Sequence, residues 1–116
     1  MRTKILSAAV VERLKAAGKT VATAESCTGG GIGQTLTAVS GSSAVYLGGV
    51  ISYTNQVKQN LLGVSAQCLE DHGAVSAETA AAMASGVRNL IKADFGISVT
   101  GLAGPDGDGS GKPVGR

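Results

Sequence analysis

The sequence predicts a layered α/β sandwich, and three observations carry that expectation. Helical and strand patterns alternate along the chain in the order helix–strand–helix–strand–helices–strand, which places helices between strands. The 18 glycines are not periodic and cluster at turns, as tight βα connections require. After a short apolar run from Thr20 to Thr23 the chain turns into a helix through mostly small residues, Ala24-Glu25-Ser26-Cys27-Thr28-Gly29-Gly30-Gly31. Such a turn stands at the carboxyl edge of a sheet, where α/β proteins bind ligands.

Each element follows in order. Thr3 is a candidate cap for a first helix with Leu6, Val10 and Leu14 on one face, joined by Ile5 and Ala9. Lys15 and Gly18 are its stop signals. Lys19 to Ala24 reads as the first strand, and Ile32 to Val39 as a second helix ending near Ser40-Gly41-Ser42-Ser43. In Ala44 to Thr54 the pair Gly48-Gly49 reads as a break, with a strand from about Gly49 to Tyr53 and a separate short piece from Ala44 to Leu47. Asn55 is the expected N-cap of a short helix through Leu61, stopped by Gly63. Ser65 to Asp71 reads as a further helical turn closed at His72-Gly73.

Ser76 opens the clearest helix. Glu78 lies in its first turn, Ala80, Met83, Val87 and Leu90 or Ile91 form its buried stripe, and Arg88 and Lys92 lie at the end that favours cations. Phe95 to Thr100 alternates Phe95, Ile97 and Val99 with small residues and reads as a strand. Gly101 to Arg116 is a polar Gly/Asp/Pro stretch just after that strand, where binding loops lie. From Asp106 to Arg116 it reads equally as a flexible tail.

A chain of 116 residues is a single-domain size, able to bury roughly two-thirds of its unfolded surface. Trp is absent and there are only two Tyr and one Phe, so the core falls to Val, Ile, Leu, Met and Ala. A net charge of +2, with no basic stripe and few stacking residues, argues against nucleic acid as a partner. The first apolar run is interrupted by Glu12 and Arg13 and reads as an amphipathic helix rather than a signal peptide. No run of about 18 apolar residues is present, so no membrane partner is expected. Cys27 and Cys68 stand alone, which suits free thiols in the cytoplasm. One His and two distant Cys give no metal-ligand cluster.

The Gly-rich turn is not a standard phosphate fingerprint. It has no G-x-x-x-x-G-K-[ST], no G-x-G-x-x-G in register and no Gly-x-Ser-x-Gly. It could hold an anion on the free N–H groups of the new helix, or a developing oxyanion while Ser26 attacks as nucleophile. The plain alternative is a small-residue turn that packs tightly. Ser26 needs a base. His72, the one histidine, lies at a helix end that suits a cap or a surface residue. Lys58 is the better candidate. With Asn55 as cap it sits at the third helical position, where the dipole opposes a cation and lowers its pKa. The alternative is a solvated surface lysine. Tyr53, at the end of the preceding strand, could relay a proton in the same space or simply pack in the core. Cys27 is a second possible nucleophile, weaker as a candidate because no His is placed to pair with it.

These motifs together resemble the CinA C-terminal domain family. The residues concerned are Thr23-Ala24-Glu25-Ser26-Cys27-Thr28-Gly29-Gly30, Gly41-Ser42-Ser43-Ala44, and Gly49-Val50-Ile51-Ser52-Tyr53-Thr54-Asn55 with Lys58. Leu62-Gly63-Val64, His72-Gly73-Ala74-Val75-Ser76, Val99-Thr100-Gly101-Leu102-Ala103-Gly104-Pro105-Asp106-Gly107 and Lys112-Pro113-Val114-Gly115 extend the likeness from about Leu6 to Gly115.

The resemblance implies a three-layer α/β/α sandwich, often oligomeric, that needs no cofactor and no metal. It implies hydrolysis of the carboxamide of nicotinamide mononucleotide to nicotinic acid mononucleotide and ammonia. By position Ser26 matches the nucleophile, Lys58 its base and Tyr53 the assisting residue. Backbone groups at Thr28, Gly29 and Gly30, or at Thr100 and Gly101, would hold the oxyanion, and Gly104 joins them as a substrate-binding position. The expected partners are a nucleotide substrate and further copies of the chain.

The family pattern continues beyond Lys112-Pro113-Val114-Gly115, whereas this sequence stops at Arg116. The segment that would follow is expected to complete the sheet beside Phe95 to Val99. Without it the chain is expected to be an oligomer or a marginal monomer. The alternative function is a nucleotide-binding or protein-interaction module without turnover.

Overall fold

Residues 2–101 are described, in a computed structural model. The chain runs α1 (Arg2–Ala17), β1 (Val21–Glu25), α2 (Gly31–Thr37), a 3-10 turn (Ser42–Ala44), β2 (Tyr46–Ile51), α3 (Asn55–Leu62), α4 (Ala66–His72), α5 (Ala77–Ile91) and β3 (Phe95–Val99). The three strands form a parallel sheet in the order β2-β1-β3.

All five residues of β1 are buried, which is what a central parallel strand covered on both faces should show. Alternation sends Ala22 and Ala24 to one face, where they pack with Leu62 and Val64 at the end of α3 and with Met83 and Val87 of α5. Val21 goes to the other face, against Val11 of α1, Leu36 of α2 and Val45. Helices thus cover both faces of one sheet, and the three-layer α/β/α expectation holds. Each fully buried Val or Leu contributes about 1.5–3 kcal/mol relative to exposure.

Several boundaries differ from the sequence reading. The first strand extends to Glu25, so the carboxylate belongs to the sheet and not to the turn. The second helix is shorter, from Gly31 to Thr37. Tyr46 to Ile51 is one continuous strand, not two pieces. Val21 pairs with Tyr46 and Ala22 with Gly48, so Leu47 is an extra residue taken up in a bulge. Gly48, at φ 147°, supplies the backbone that the bulge needs. The N-cap of α3 is Thr54, whose hydroxyl accepts from the Val57 N–H at 3.3 Å; Asn55 is the first helical residue.

The expected stripe of α1 is also rotated. Ser7 and Val11 are buried and Leu14 packs beside them, whereas Leu6 and Val10 are 59% and 41% exposed. α1 buries a narrow seam with Val11 and Leu14, while Leu6 and Val10 border a cavity shared with Ile97 of β3. Phe95 and Ile97 pair with Val21 and Thr23, so they face the same side of the sheet as α1 and α2. They are 51% and 39% exposed. An apolar cavity of about 470 Å³ opens there among Leu6, Val10, Ile32, Leu36 and Ile97.

Candidate functional site

Ser26 follows the last residue of β1, and its N–H donates to the Val99 carbonyl of β3 at 3.0 Å. Glu25 O accepts from the Ser52 N–H at 2.7 Å, just beyond β2. The turn itself is closed by Gly29 N–H donating to Ser26 O at 3.1 Å and by Gly31 N–H donating to Thr28 O at 3.3 Å. Gly29 and Gly30 lie at φ 63° and 110°, a conformation that suits only glycine in both places at once.

Lys58 comes to Ser26 from α3. Its Nζ lies 3.2 Å from Ser26 Oγ, 2.8 Å from Ser52 O and 3.4 Å from Tyr53 O. The side chain is 1% exposed, which is rare for a lysine. Burial holds its pKa below the ordinary lysine value, and the neighbouring Cys27 pulls the other way as the smaller effect. The structure brings Lys58 beside Ser26, as the sequence reading expected, but the cause of its lowered pKa differs. Lys58 is the fourth residue of α3, one place further in than expected, and desolvation rather than the helix terminus depresses its pKa.

Nζ thus faces three oxygens, donating to Ser52 O, Tyr53 O and Ser26 Oγ; in a neutral amine two N–H groups would serve the carbonyls and the lone pair would face the Ser26 hydroxyl.

The other expected residues divide. Tyr53 contributes its main-chain carbonyl to Lys58, but its side chain is 74% exposed and packs in no core. His72 closes α4 with Nδ1 3.8 Å from the Glu78 carboxylate, away from Ser26. Thr100 donates its hydroxyl to Ala74 O at 2.7 Å and borders a cavity of about 230 Å³ with Val75, Ser76, Ala77 and Ala80. Gly101 follows it, and Gly104 lies outside the described residues. Cys27 and Cys68 are free thiols. Among the described residues no three His, Cys, Asp or Glu side chains gather as a metal site would require, and no helix is long and apolar enough to cross a membrane.

One expectation about the turn is corrected. The first N–H groups of α2 are not free for an anion. Ile32 N–H donates to Glu25 Oε1 at 2.6 Å and Gly33 N–H to Glu25 Oε2 at 2.9 Å. Thr28 Oγ1 donates to the same carboxylate at 2.8 Å. Gly29 N–H is engaged within the turn, so the amides of Cys27, Thr28 and Gly30 are those that no hydrogen bond among the described residues uses. Sequence reasoning missed Glu25. The available signal was an acidic residue placed before a helix whose own N-cap, Gly30, has no side chain to offer.

The comparisons with known proteins agree with this architecture. A CinA-like protein from Synechococcus sp. (strain RCC307) is 54% identical over 110 residues, covering 95% of this chain and 26% of the relative. This chain therefore spans about a quarter of the length of the curated relatives it matches. Among solved structures, the competence damage-inducible protein A (ComA) of Klebsiella pneumoniae is 42% identical, with a TM-score of 0.94 over 97% of this chain and 70% of that one. The competence/damage inducible protein CihA of Agrobacterium tumefaciens is 44% identical, with a TM-score of 0.92 over 97% of this chain and 68% of that one. The sequence profile of the CinA C-terminal domain matches residues 3–116, nearly the whole chain, and on that match the protein belongs to the CinA C-terminal domain family.

Proposed function

We propose that the protein is a serine–lysine amidohydrolase that removes ammonia from the carboxamide of nicotinamide mononucleotide. The observation that carries this reading is the Ser26–Lys58 pair, 3.2 Å apart with the amine buried and its pKa depressed. A buried lysine held by two main-chain carbonyls has no evident structural purpose that an apolar side chain would not serve better. As a base for a serine hydroxyl it has one.

The proposed reaction proceeds in two halves. Neutral Lys58 takes the Ser26 proton as Oγ attacks the carboxamide carbon. The oxyanion is held by amides of the turn, with Thr28 and Gly30 the free donors among the expected residues. Collapse expels ammonia with the proton returned from Lys58, leaving an ester on Ser26. Water, deprotonated by Lys58, then clears the ester and releases the carboxylate. Tyr53 stands at the exposed rim, where its phenol can donate to a bound substrate. The nucleotide, with no metal or cofactor, is the proposed ligand, in a cytoplasmic homo-oligomer.

Ammonia release from nicotinamide mononucleotide, measured beside Ser26→Ala, tests this. Turnover that Ser26→Ala abolishes supports the nucleophile. Undiminished release from Ser26→Ala would falsify it. Calorimetric binding of the nucleotide without ammonia release would instead favour a binding module, the reading that the uncovered apolar face beside β3 supports.

A further inference from the structure

The carboxylate of Glu25 is 2% exposed, yet it belongs to no ion pair among the described residues. Instead it gathers donors. Oε1 accepts from Thr28 Oγ1 at 2.8 Å and Ile32 N–H at 2.6 Å, and Oε2 accepts from Gly33 N–H at 2.9 Å. Thr23 Oγ1 lies 3.4 Å from Oε2 and 2.7 Å from the Tyr46 hydroxyl. The donors line up in one direction, from Tyr46 O–H to Thr23 O–H to Glu25. Burying a carboxylate is costly unless such donors meet it.

Glu25 and Ser26 are consecutive at the end of a strand, so Glu25 points to the α2 face while Ser26 meets Lys58 of α3. Through its oxygens Glu25 holds Thr28 on the far side of the turn and the first two available amides of a helix that has no local side-chain cap. The turn between those anchors is Ser26-Cys27-Thr28-Gly29-Gly30. Its near end is pinned by the strand and its far end by this carboxylate.

We propose that Glu25 is a positioning residue for Ser26, setting the turn so that the hydroxyl meets the Lys58 amine. This rests on the serine–lysine reading above. Both carboxylate oxygens accept from a backbone N–H, so an amide cannot replace it: either orientation of Gln faces an NH2 against Ile32 or Gly33. The surroundings are shaped for the same group. A Cβ on Gly33 would lie 2.7 Å from the Tyr46 hydroxyl and 3.3 Å from Glu25 Oε2. Gly33→Ala therefore pushes first on the Tyr46 hydroxyl that bonds Thr23 and by a smaller amount on the carboxylate itself, while improving intrinsic helix propensity.

The experiment is the rate at which a fluorophosphonate probe labels Ser26, read by intact mass, in the parent, Ser26→Ala, Glu25→Gln and Gly33→Ala. Thermal melts show which variants are folded at the assay temperature. Alkylation of Cys68, on α4 and away from the turn, serves as the control for general loosening. Labelling of Glu25→Gln is expected to slow about tenfold to a hundredfold, as a misplacement of order 1 Å would produce. Gly33→Ala should slow it about severalfold, and Cys68 should react at the parental rate in both. With nicotinamide mononucleotide, kcat should fall by the same factor as labelling while KM stays within about threefold.

A parent that takes no label at Ser26 overturns both this inference and the serine–lysine reading. A parent that is labelled, with folded Glu25→Gln and Gly33→Ala labelled equally fast, overturns the role of Glu25 alone. Slowed labelling accompanied by equally changed Cys68 reactivity also overturns it, since the effect is then general loosening. If Glu25→Gln does not fold, Gly33→Ala decides by the same criteria.

Discussion

The Nζ of Lys58 lies 2.8 Å from the carbonyl oxygen of Ser52, closer than to any other atom it bonds. Ser52 is itself 0% exposed, and its N–H donates to Glu25 O. Lys58 is therefore indexed to β1, the strand that leads into Ser26, through one intervening residue. This arrangement leads to predictions that separate the amine's chemistry from its contribution to packing.

The rate should rise with pH through a single ionisation below the ordinary lysine value of about 10.4, because only the neutral amine can accept the Ser26 proton. Lys58→Arg keeps a charge and cannot act as base, so turnover should fall by at least about a hundredfold. Initial rates of ammonia release across the pH range measure both. A flat profile in the parent, or an active Arg variant, places the base elsewhere.

Stability should carry the same ionisation with a definite sign. The folded pKa of Lys58 is lowered, so between it and the ordinary value the unfolded chain binds more protons than the folded one. The parent should gain stability relative to Lys58→Met as pH rises toward about 10.4, and lose that gain as pH falls through the lowered folded value. Urea midpoints of the two proteins at several pH values read it out. A difference that does not vary with pH would mean that the amine is charged alike in both states.

Thr54→Ala removes the hydroxyl that accepts from Val57 N–H at the start of α3. The expected loss is about 1 kcal/mol, with Thr54→Ser close to the parent. Lys58 lies on the following turn, so turnover should fall modestly with it. Denaturant titration beside the ammonia assay distinguishes this from a loss confined to stability.

Met83, 0% exposed against Ala22 and Ala24, holds α5 on the sheet. Met83→Ala should cost about 2–5 kcal/mol, and Met83→Leu less than about 1.5 kcal/mol. Neither touches Ser26 or Lys58, so the label taken per folded molecule should stay near parental. Thermal melts paired with probe labelling check both halves of that statement.

The juxtaposition of Ser26 and Lys58 was legible in part: a strand-to-helix turn presents its serine at the sheet edge, and a lysine near a helix start goes against the dipole. Glu25 was not legible, because it reads as one member of the turn; its donors are the Thr28 hydroxyl and the Ile32 and Gly33 amides, which converge on it only once α2 forms. Gly48-Gly49 read as a break because periodicity has no sign for an extra residue, whereas pairing with β1 carries the strand through it. On α1 the largest side chains suggested the buried face. The packing surface selected Ser7 and Val11 instead, with Val11 set among Val21, Leu36 and Val45.

The main-chain bond from Ser26 N–H to Val99 O has a consequence for measurement. The Ser26 amide hydrogen is held by β3, and the Ser52 amide beside it by Glu25 of β1. Solvent deuterium can reach the first when β3 lifts away and the second when the strands part on the other side. The two amides thus act as separate gauges of the sheet's two seams, read at the residues where the chemistry is proposed to occur. A ligand, an added segment or a second subunit that steadies β3 would slow exchange at Ser26 before it slowed exchange at Ser52, and a resonance-resolved exchange experiment would show from which side the protein is being held.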